Sequence, residues 1–395
     1  MKILYSAIDQ TVPGTKGGSV HVTAVARGLA ALGHEVIALI TPGSGEEPAA
    51  GVRWIALPPP LGSTHLRLAR SGAVERIARA ERPDAIIERY HNFGGEAIRL
   101  AKPLGAVGVL EVNAPVIDFP ASRKALLDRA LLFEPMRRWR ERLVATADVI
   151  VTPDPAILPA RTPREKIAVL EWGADTELFR PGAGEAIVGR GPAATLAVFA
   201  GAFRSWHGAI NLVRAIRTLE QRGRRDIGAV MIGHGPEWDR ARDEARGSLL
   251  IQFPNAIPHS RMPGALSHAD IGVAPFDVGA HGPLSLGFYW SPLKIFEYMA
   301  AGLPVVAPAV DRIPSLVAHE REGLLYDPSA ADSLAGALVR LADDPALRTR
   351  LGAAARERAV RDYSWSAHCR ALEAKIEAEI KSRKDPRTSS KDLKS

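Results

Sequence analysis

The run Ser291-Pro292-Leu293-Lys294-Ile295-Phe296-Glu297-Tyr298-Met299-Ala300-Ala301-Gly302-Leu303-Pro304-Val305-Val306-Ala307 sets a cation and a carboxylate one helical turn apart, ahead of a buried strand. Ser291 suits a cap, Pro292 a first helical position, and Gly302 a stop before Pro304. Leu293, Phe296 and Ala300 share one apolar face at helical spacing, and Lys294, Glu297 and Tyr298 share another. Unbonded N–H groups at the helix start, beside Lys294, attract an anion. Glu297 can then accept two hydrogen bonds from vicinal hydroxyls, such as those of a ribose. A phosphate cradle followed by such a carboxylate describes a nucleotide site. For the helix taken alone, a capped surface helix with a Glu–Lys pair is the simpler reading.

The elements that must hold these groups are visible on either side. With 395 residues the chain can form two domains, because single cores stop growing near about 250–300 residues. Its 46% hydrophobic and 24% charged content is that of a globular protein. A single cysteine, Cys369, excludes an intramolecular disulfide framework and fits a reducing cytoplasm. Met1–Ile8 is too short an apolar run for a signal peptide and reads as a first strand. No run reaches the roughly 20 residues of a membrane span. The net charge of +7 suits an anionic partner, and no nucleic-acid motif accompanies it.

Strand candidates are Ile3–Ala7, Val36–Ile40, Ala85–Ile87, Val107–Val112 and Val149–Thr152, with Val22, Val25, Ala26, Leu29 and Leu32 repeating at helical period between the first two. After Arg180–Gly184, which reads as a linker, the pattern begins again. Leu196–Ala200, Val230–Ile232, Leu250–Phe253, Ile271–Ala274 and Val305–Ala307 are strands, and Ile210–Leu219 is an amphipathic helix. The expectation is α/β: two doubly wound Rossmann-like domains facing each other across a cleft. Residues 1–182 form the first and 183–365 the second, 366–380 is a helix that can return to the first, and 381–395 is a disordered tail. Gly14-Thr15-Lys16-Gly17-Gly18-Ser19 opens the first helix with amides that can approach an oxyanion, without the spacing of a dinucleotide or Walker loop.

The segment 291–302 resembles the signature of retaining glycosyltransferases of family 4, which have the GT-B fold. In many members this helix carries two glutamates eight residues apart. Glu297 matches the second, which holds the donor ribose, and Tyr289 falls where the first is expected. By the same resemblance Gly17 and Gly18 face the donor diphosphate, and Arg204 and His207 stand where an arginine and a lysine touch it. Gly233-His234-Gly235-Pro236 matches a Gly-Asp-Gly-Pro turn, and Ile257 falls where the nucleobase is met. Ser291, Leu293 and Lys294 complete the donor-binding set. Arg204 and Lys294 are also the expected catalytic cations, acting on the departing diphosphate without metal. Glu171–Asp175 with Phe179-Arg180-Pro181 resembles the structural element that closes the first domain.

Asn113 stands where many relatives have a histidine near the donor sugar or acceptor; it can hold a hydroxyl but cannot act as a base. His91 and Glu88 are the alternatives for that task, and Glu111 faces protein rather than substrate. The expected partners are a nucleoside-diphosphate sugar, UDP or GDP, and a glycan or lipid-linked acceptor; no cofactor or metal is expected. The basic stretch Arg123–Arg142 reads as a solvated helix face or as a peripheral contact with the inner face of the cell membrane. The resemblance thus implies transfer of a sugar to an acceptor hydroxyl with retention, in bacterial surface polysaccharide or glycolipid synthesis. The rival readings are a non-catalytic sugar-nucleotide-binding relative and a sugar-nucleotide epimerase of the same fold.

Overall fold

The computed structural model describes residues 1–14, 16–44, 51–62, 69–119, 122–131, 133–187 and 189–384. Thr15 of the glycine-rich loop and residues 385–395 of the expected tail lie outside them. The chain divides into two compact units. One comprises Met1–Trp172, Tyr289–Ser291 and the chain from Trp365; the other comprises Gly173–Phe288 and Pro292–Ser364.

The first unit begins with strand β1 (Lys2–Val12), helix α1 (Gly17–Ala31), β2 (Glu35–Pro42), β3 (Val52–Ala56), α2 (Ser71–Glu81) and β4 (Ala85–Arg89). It continues through α3 (Ile98–Leu104), β5 (Val107–Glu111), α4 (Arg123–Ala130), α5 (Pro135–Thr146), β6 (Val149–Thr152) and β7 (Ile167–Val169). All seven strands are parallel, in the order β3-β2-β1-β4-β5-β6-β7. Every residue of β4, β5 and β6 is buried, as a parallel sheet covered on both faces requires.

The second unit runs β8 (Thr195–Ala200), α6 (Ala209–Gln221), β9 (Ile227–Ile232), α7 (Trp238–Glu244), β10 (Ile251–Gln252), α8 (Met262–Ser267) and β11 (Ile271–Val273). Then come α9 (Leu293–Ala300), β12 (Val305–Pro308), α10 (Ile313–Leu316), β13 (Gly323–Tyr326), α11 (Ser333–Asp343) and α12 (Pro345–Asp362). Its parallel sheet has the order β10-β9-β8-β11-β12-β13. In both sheets the strand order reverses beside the first strand, the switch that opens a crevice at the strand ends.

Arg180–Gly184 is not a linker. Phe179 is fully buried, its carbonyl accepts Arg356 at 2.7 Å, and Ser267 Oγ donates to the Ala183 carbonyl at 2.6 Å. The last helix, α13 (Trp365–Lys384), belongs to the first unit and packs on α1. The approach is close: a Cβ on Gly28 would lie 2.4 Å from Cys369 Sγ. Because α13 reaches Lys384, residues 381–384 are helical rather than part of a disordered tail. No helix among the described residues is long and apolar enough to cross a membrane.

Candidate functional site

Helix α9 is buried from Lys294 to Ala300, so its second face is as enclosed as its first and the two-faced reading is replaced by a fully packed helix. Tyr298 anchors it. The Ala200 amide donates to the Tyr298 hydroxyl at 2.7 Å, and the ring lies on Gly272, where a Cβ would come within 2.5 Å. Gly302, at φ 77°, ends the helix as expected. Ser291 does not cap it; Pro292 is the N-cap residue. Ser291 Oγ instead accepts the Trp172 amide at 2.6 Å and donates to Glu171 at 2.8 Å, within the first unit. Tyr289 is buried in that unit as well, so a packing ring occupies the position where a glutamate was expected.

Lys294 is buried with its Nζ 4.1 Å from the centre of the Phe199 ring and 5.1 Å from that of Phe276. Nζ has no hydrogen-bond partner among the described residues. Burial pushes the ammonium down to about 7, against the attraction of Glu297. Gly201, at φ 147°, leaves the room it needs, since a Cβ there would sit 3.1 Å from Nζ. Glu297, one turn on, accepts His259 Nε2–H at Oε1 over 2.8 Å. Half-buried Ile257 lies two residues before His259.

The loop after β8 supplies two more expected residues. Arg204 is exposed and has no carboxylate partner among the described residues. His207 does not behave as a pH-dependent cation here. Burial, followed by the charges of Lys294 and Arg204, holds it down at about 2, and its Nδ1–H donates to the Ala202 carbonyl. Gly233 and Gly235 serve backbone approach: a Cβ on Gly233 would fall 1.9 Å from the Gly201 carbonyl oxygen. The second unit therefore gathers Lys294, Glu297, Gly201, His207 and Arg204 around the ends of β8 and α9. A cavity of 440 Å³ between α6 and the residues after β13 is lined by none of these five residues and meets the group only through Phe276, the ring beside Lys294.

In the first unit Gly17 and Gly18 open α1, whose N-cap residue, Lys16, makes no side-chain cap. Asn113 Oδ1 accepts the Trp172 indole N–H at 2.8 Å. An indole can only donate, so the amide orientation is fixed and Nδ2, which has no partner among the described residues, is the group left to act. His91 Nδ1–H donates to the Asn92 carbonyl at 2.7 Å. Glu88 is no base. Fully buried, it accepts the amides of Gly95, Ala97 and Ile98 at 2.6, 2.9 and 2.7 Å and so ties down the start of α3.

Glu111 faces protein, as read from the sequence. Its carboxylate takes the Tyr5 hydroxyl at 2.8 Å and lies 2.8 Å from His21 Nε2. Burial raises its proton affinity, but the neighbouring His21 and Arg89 prevail and hold it at about 2. Together with His368 these groups have the spacing of a metal cluster. Arg89 removes that function: its guanidinium donates to His21 Nδ1 at 3.2 Å, so the ring proton sits on Nε2, facing Glu111. Within Arg123–Arg142, Arg140 is buried and bidentate to Asp118 at 2.9 Å, and Arg137 pairs with Glu134. Arg123, Arg129, Arg138 and Arg142 stay exposed beside exposed Leu126, Leu127, Leu131 and Phe133.

Sequence reasoning gave Phe199 and Phe276 no role, placed His259 only with Ile257 in the stretch that meets the nucleobase, and placed Trp172 only in the structural element that closes the first domain. Each meets its partner through contacts distant in sequence, and the local pattern carries no signal of them.

Comparison with known proteins agrees with this layout. Residues 16–173 match the family model for the glycosyl transferase 4-like domain, and residues 194–344 match that for glycosyl transferases group 1. A D-inositol 3-phosphate glycosyltransferase of Corynebacterium aurimucosum is 27% identical over 93% of this chain and 92% of its own length. The Corynebacterium glutamicum protein of that name is 29% identical over 51% of this chain, and the match spans about half of it (49%). Among solved structures, sucrose-phosphate synthase from Thermosynechococcus elongatus superposes with a TM-score of 0.71 at 20% identity, over 97% of this chain and 100% of that one. Anabaena HepE in complex with UDP-glucose gives 0.66 at 15% identity, over 96% and 100%.

Proposed function

We propose that this GT-B glycosyltransferase moves a sugar from a nucleoside diphosphate to an acceptor hydroxyl, with retention of configuration, in surface polysaccharide or glycolipid synthesis. The observation that carries the reading is the pair on α9: a buried ammonium without a partner, one turn before a buried carboxylate. Lys294 meets the diphosphate, and Glu297 meets the ribose hydroxyls. Arg204 adds a permanent charge from the β8 loop, and His207 and the first-turn amides of α9 add donors. As the anomeric carbon–oxygen bond breaks, charge collects on the diphosphate, and these fixed cations stabilise it without a metal ion. In the first unit the amides of Gly17 and Gly18 serve an oxyanion, Asn113 Nδ2 donates to a substrate oxygen, and His91 is the candidate base.

UDP is the first donor nucleotide to test, since HepE binds it. A thermal-shift panel of UDP, GDP and their sugars identifies the donor, and transfer is then read with that sugar. Glu297→Ala should weaken nucleotide binding by up to about 1.5–3 kcal/mol for each hydrogen bond lost. Glu357→Ala, on an exposed side chain of α12, is the control. Equal affinity in both variants would remove Glu297 from the site. The exposed arginines and leucines of α4 and α5 suit an anionic lipid surface, consistent with a lipid-linked acceptor. Cosedimentation with phosphatidylglycerol vesicles at low and moderate salt tests it; no binding at low salt leaves a solvated face and a soluble acceptor.

A further inference from the structure

His259 touches the carboxylate that the donor site depends on. Its Nε2 lies 2.8 Å from Glu297 Oε1, and its ring meets Phe179 edge to face at 5.2 Å. The Glu297 side chain is 12% exposed and that of His259 33%, so the histidine is the more solvent-exposed member of the pair. The charged groups around the pair are Lys294, on the same helix as Glu297, and Asp175, which acts on His259 from the segment before β8. Phe179, from that same segment, brings no charge.

We propose that His259 is the positioning residue of the nucleoside site: its Nε2–H pins one oxygen of Glu297, so that the other faces the ribose, and its protonation weakens that contact. The proposal rests on the reading of Glu297 as the ribose acceptor. A neutral imidazole donates one hydrogen bond and leaves the carboxylate its full negative charge. An imidazolium draws that charge toward itself, and a ribose hydroxyl then finds a poorer acceptor. The effect is reciprocal: ribose binding must lower the proton affinity of His259, so nucleoside binding expels a proton. Burial alone pulls the ring down, but Glu297, with Asp175 behind it, prevails and raises it above the usual imidazole value.

Nucleosides without phosphate isolate this effect from the diphosphate cations. Uridine and guanosine are titrated into the full chain by ligand-observed NMR between pH 5.5 and 8.5, with thermal unfolding as a check that each variant is folded. Wild-type affinity should fall about three- to tenfold from pH 8 to pH 5.5, since tenfold corresponds to a single pKa unit of coupling. His259→Gln keeps a donor for Glu297 and cannot titrate. It should bind within about twofold of wild type at pH 8 and lose the acid decline. His259→Leu should bind about fivefold or more weakly at every pH, with a flat profile. An acid decline that survives in His259→Gln, or wild-type affinity at pH 8 in His259→Leu, overturns the inference. Glu297→Gln separates the two levels. If it binds nucleoside as wild type does, or if wild type binds neither nucleoside, the ribose reading has failed; if it weakens binding while the His259 variants do not, only the role of His259 has failed.

Discussion

On the proposed reading, in which Lys294 meets the donor diphosphate, binding is a proton-uptake reaction. In the free protein burial leaves the Lys294 ammonium at about 7, so half of the molecules are charged at pH 7 and about one in a hundred at pH 9. A diphosphate held against Nζ keeps the lysine protonated through that range. The apparent dissociation constant then carries the factor 1 + 10^(pH − 7), which rises from about 2 at pH 7 to about 100 at pH 9. Binding of UDP or GDP should therefore weaken about 50-fold, or ~2.3 kcal/mol, across two pH units. The terminal phosphate titrates near 6, below this window. His207, held neutral at about 2, adds no slope. Isothermal titration of His259→Gln, whose side chain releases no proton, in buffers of different ionisation enthalpy should show about half a proton taken up per nucleotide at pH 7 and about nine-tenths at pH 8. Lys294→Met fits between the same two phenyl rings; it should bind more weakly at pH 6.5 and show no slope. A flat wild-type profile from pH 7 to 9, or a slope that persists in Lys294→Met, would refute the reasoning.

Four further outcomes test the packing and the exposed basic face of the first unit. Glu88→Ala leaves three buried amides without their acceptor and should cost about 3 kcal/mol or more in urea unfolding, while any pH dependence of turnover keeps its shape. Arg140→Gln should cost about 3–5 kcal/mol because buried Asp128 and its neighbour Asp118 lose their cation. Arg138→Gln, on an exposed side chain, should change stability by less than about 0.5 kcal/mol and lower vesicle binding instead. Gly28→Ala should destabilise by about 1–3 kcal/mol through Cys369, and Cys369→Ala should recover most of that loss in a double-mutant cycle.

The central strands were legible because both of their faces are buried, which leaves continuous apolar runs such as Ala85–Ile87 and Leu196–Ala200. The strands missed were β3, β7 and β13, all at sheet edges. In β3 no residue is fully buried, and Arg53 interrupts the run, so nothing in it separates a strand from a loop. The candidate site residues followed the same division. Lys294 and Glu297 declare themselves through local spacing. Ser291 misleads because Ser-Pro is a strong local cap signal, whereas its hydroxyl is engaged by Trp172, 119 positions away. Glu88 looked chemical because a carboxylate at a strand end often is. The glycine pair Gly94-Gly95 was the available sign that the chain turns back and offers it amides only 7 to 10 residues on.

The placement of α13 in the first unit also sets a timetable for synthesis. Cys369 Sγ meets the Val25 carbonyl across 344 positions of chain, so α1 leaves the ribosome roughly 17–70 s before the surface that covers it, at about 5–20 residues per second. Throughout that interval the nascent chain leaves the surface of α1 around Gly28 uncovered. The second unit holds Gly173–Phe288 and Pro292–Ser364 and can close its own core before α13 has been translated. The unit begun first is therefore the one finished last, and a chain cut short before Trp365 would carry a sealed second core beside an unsealed first one.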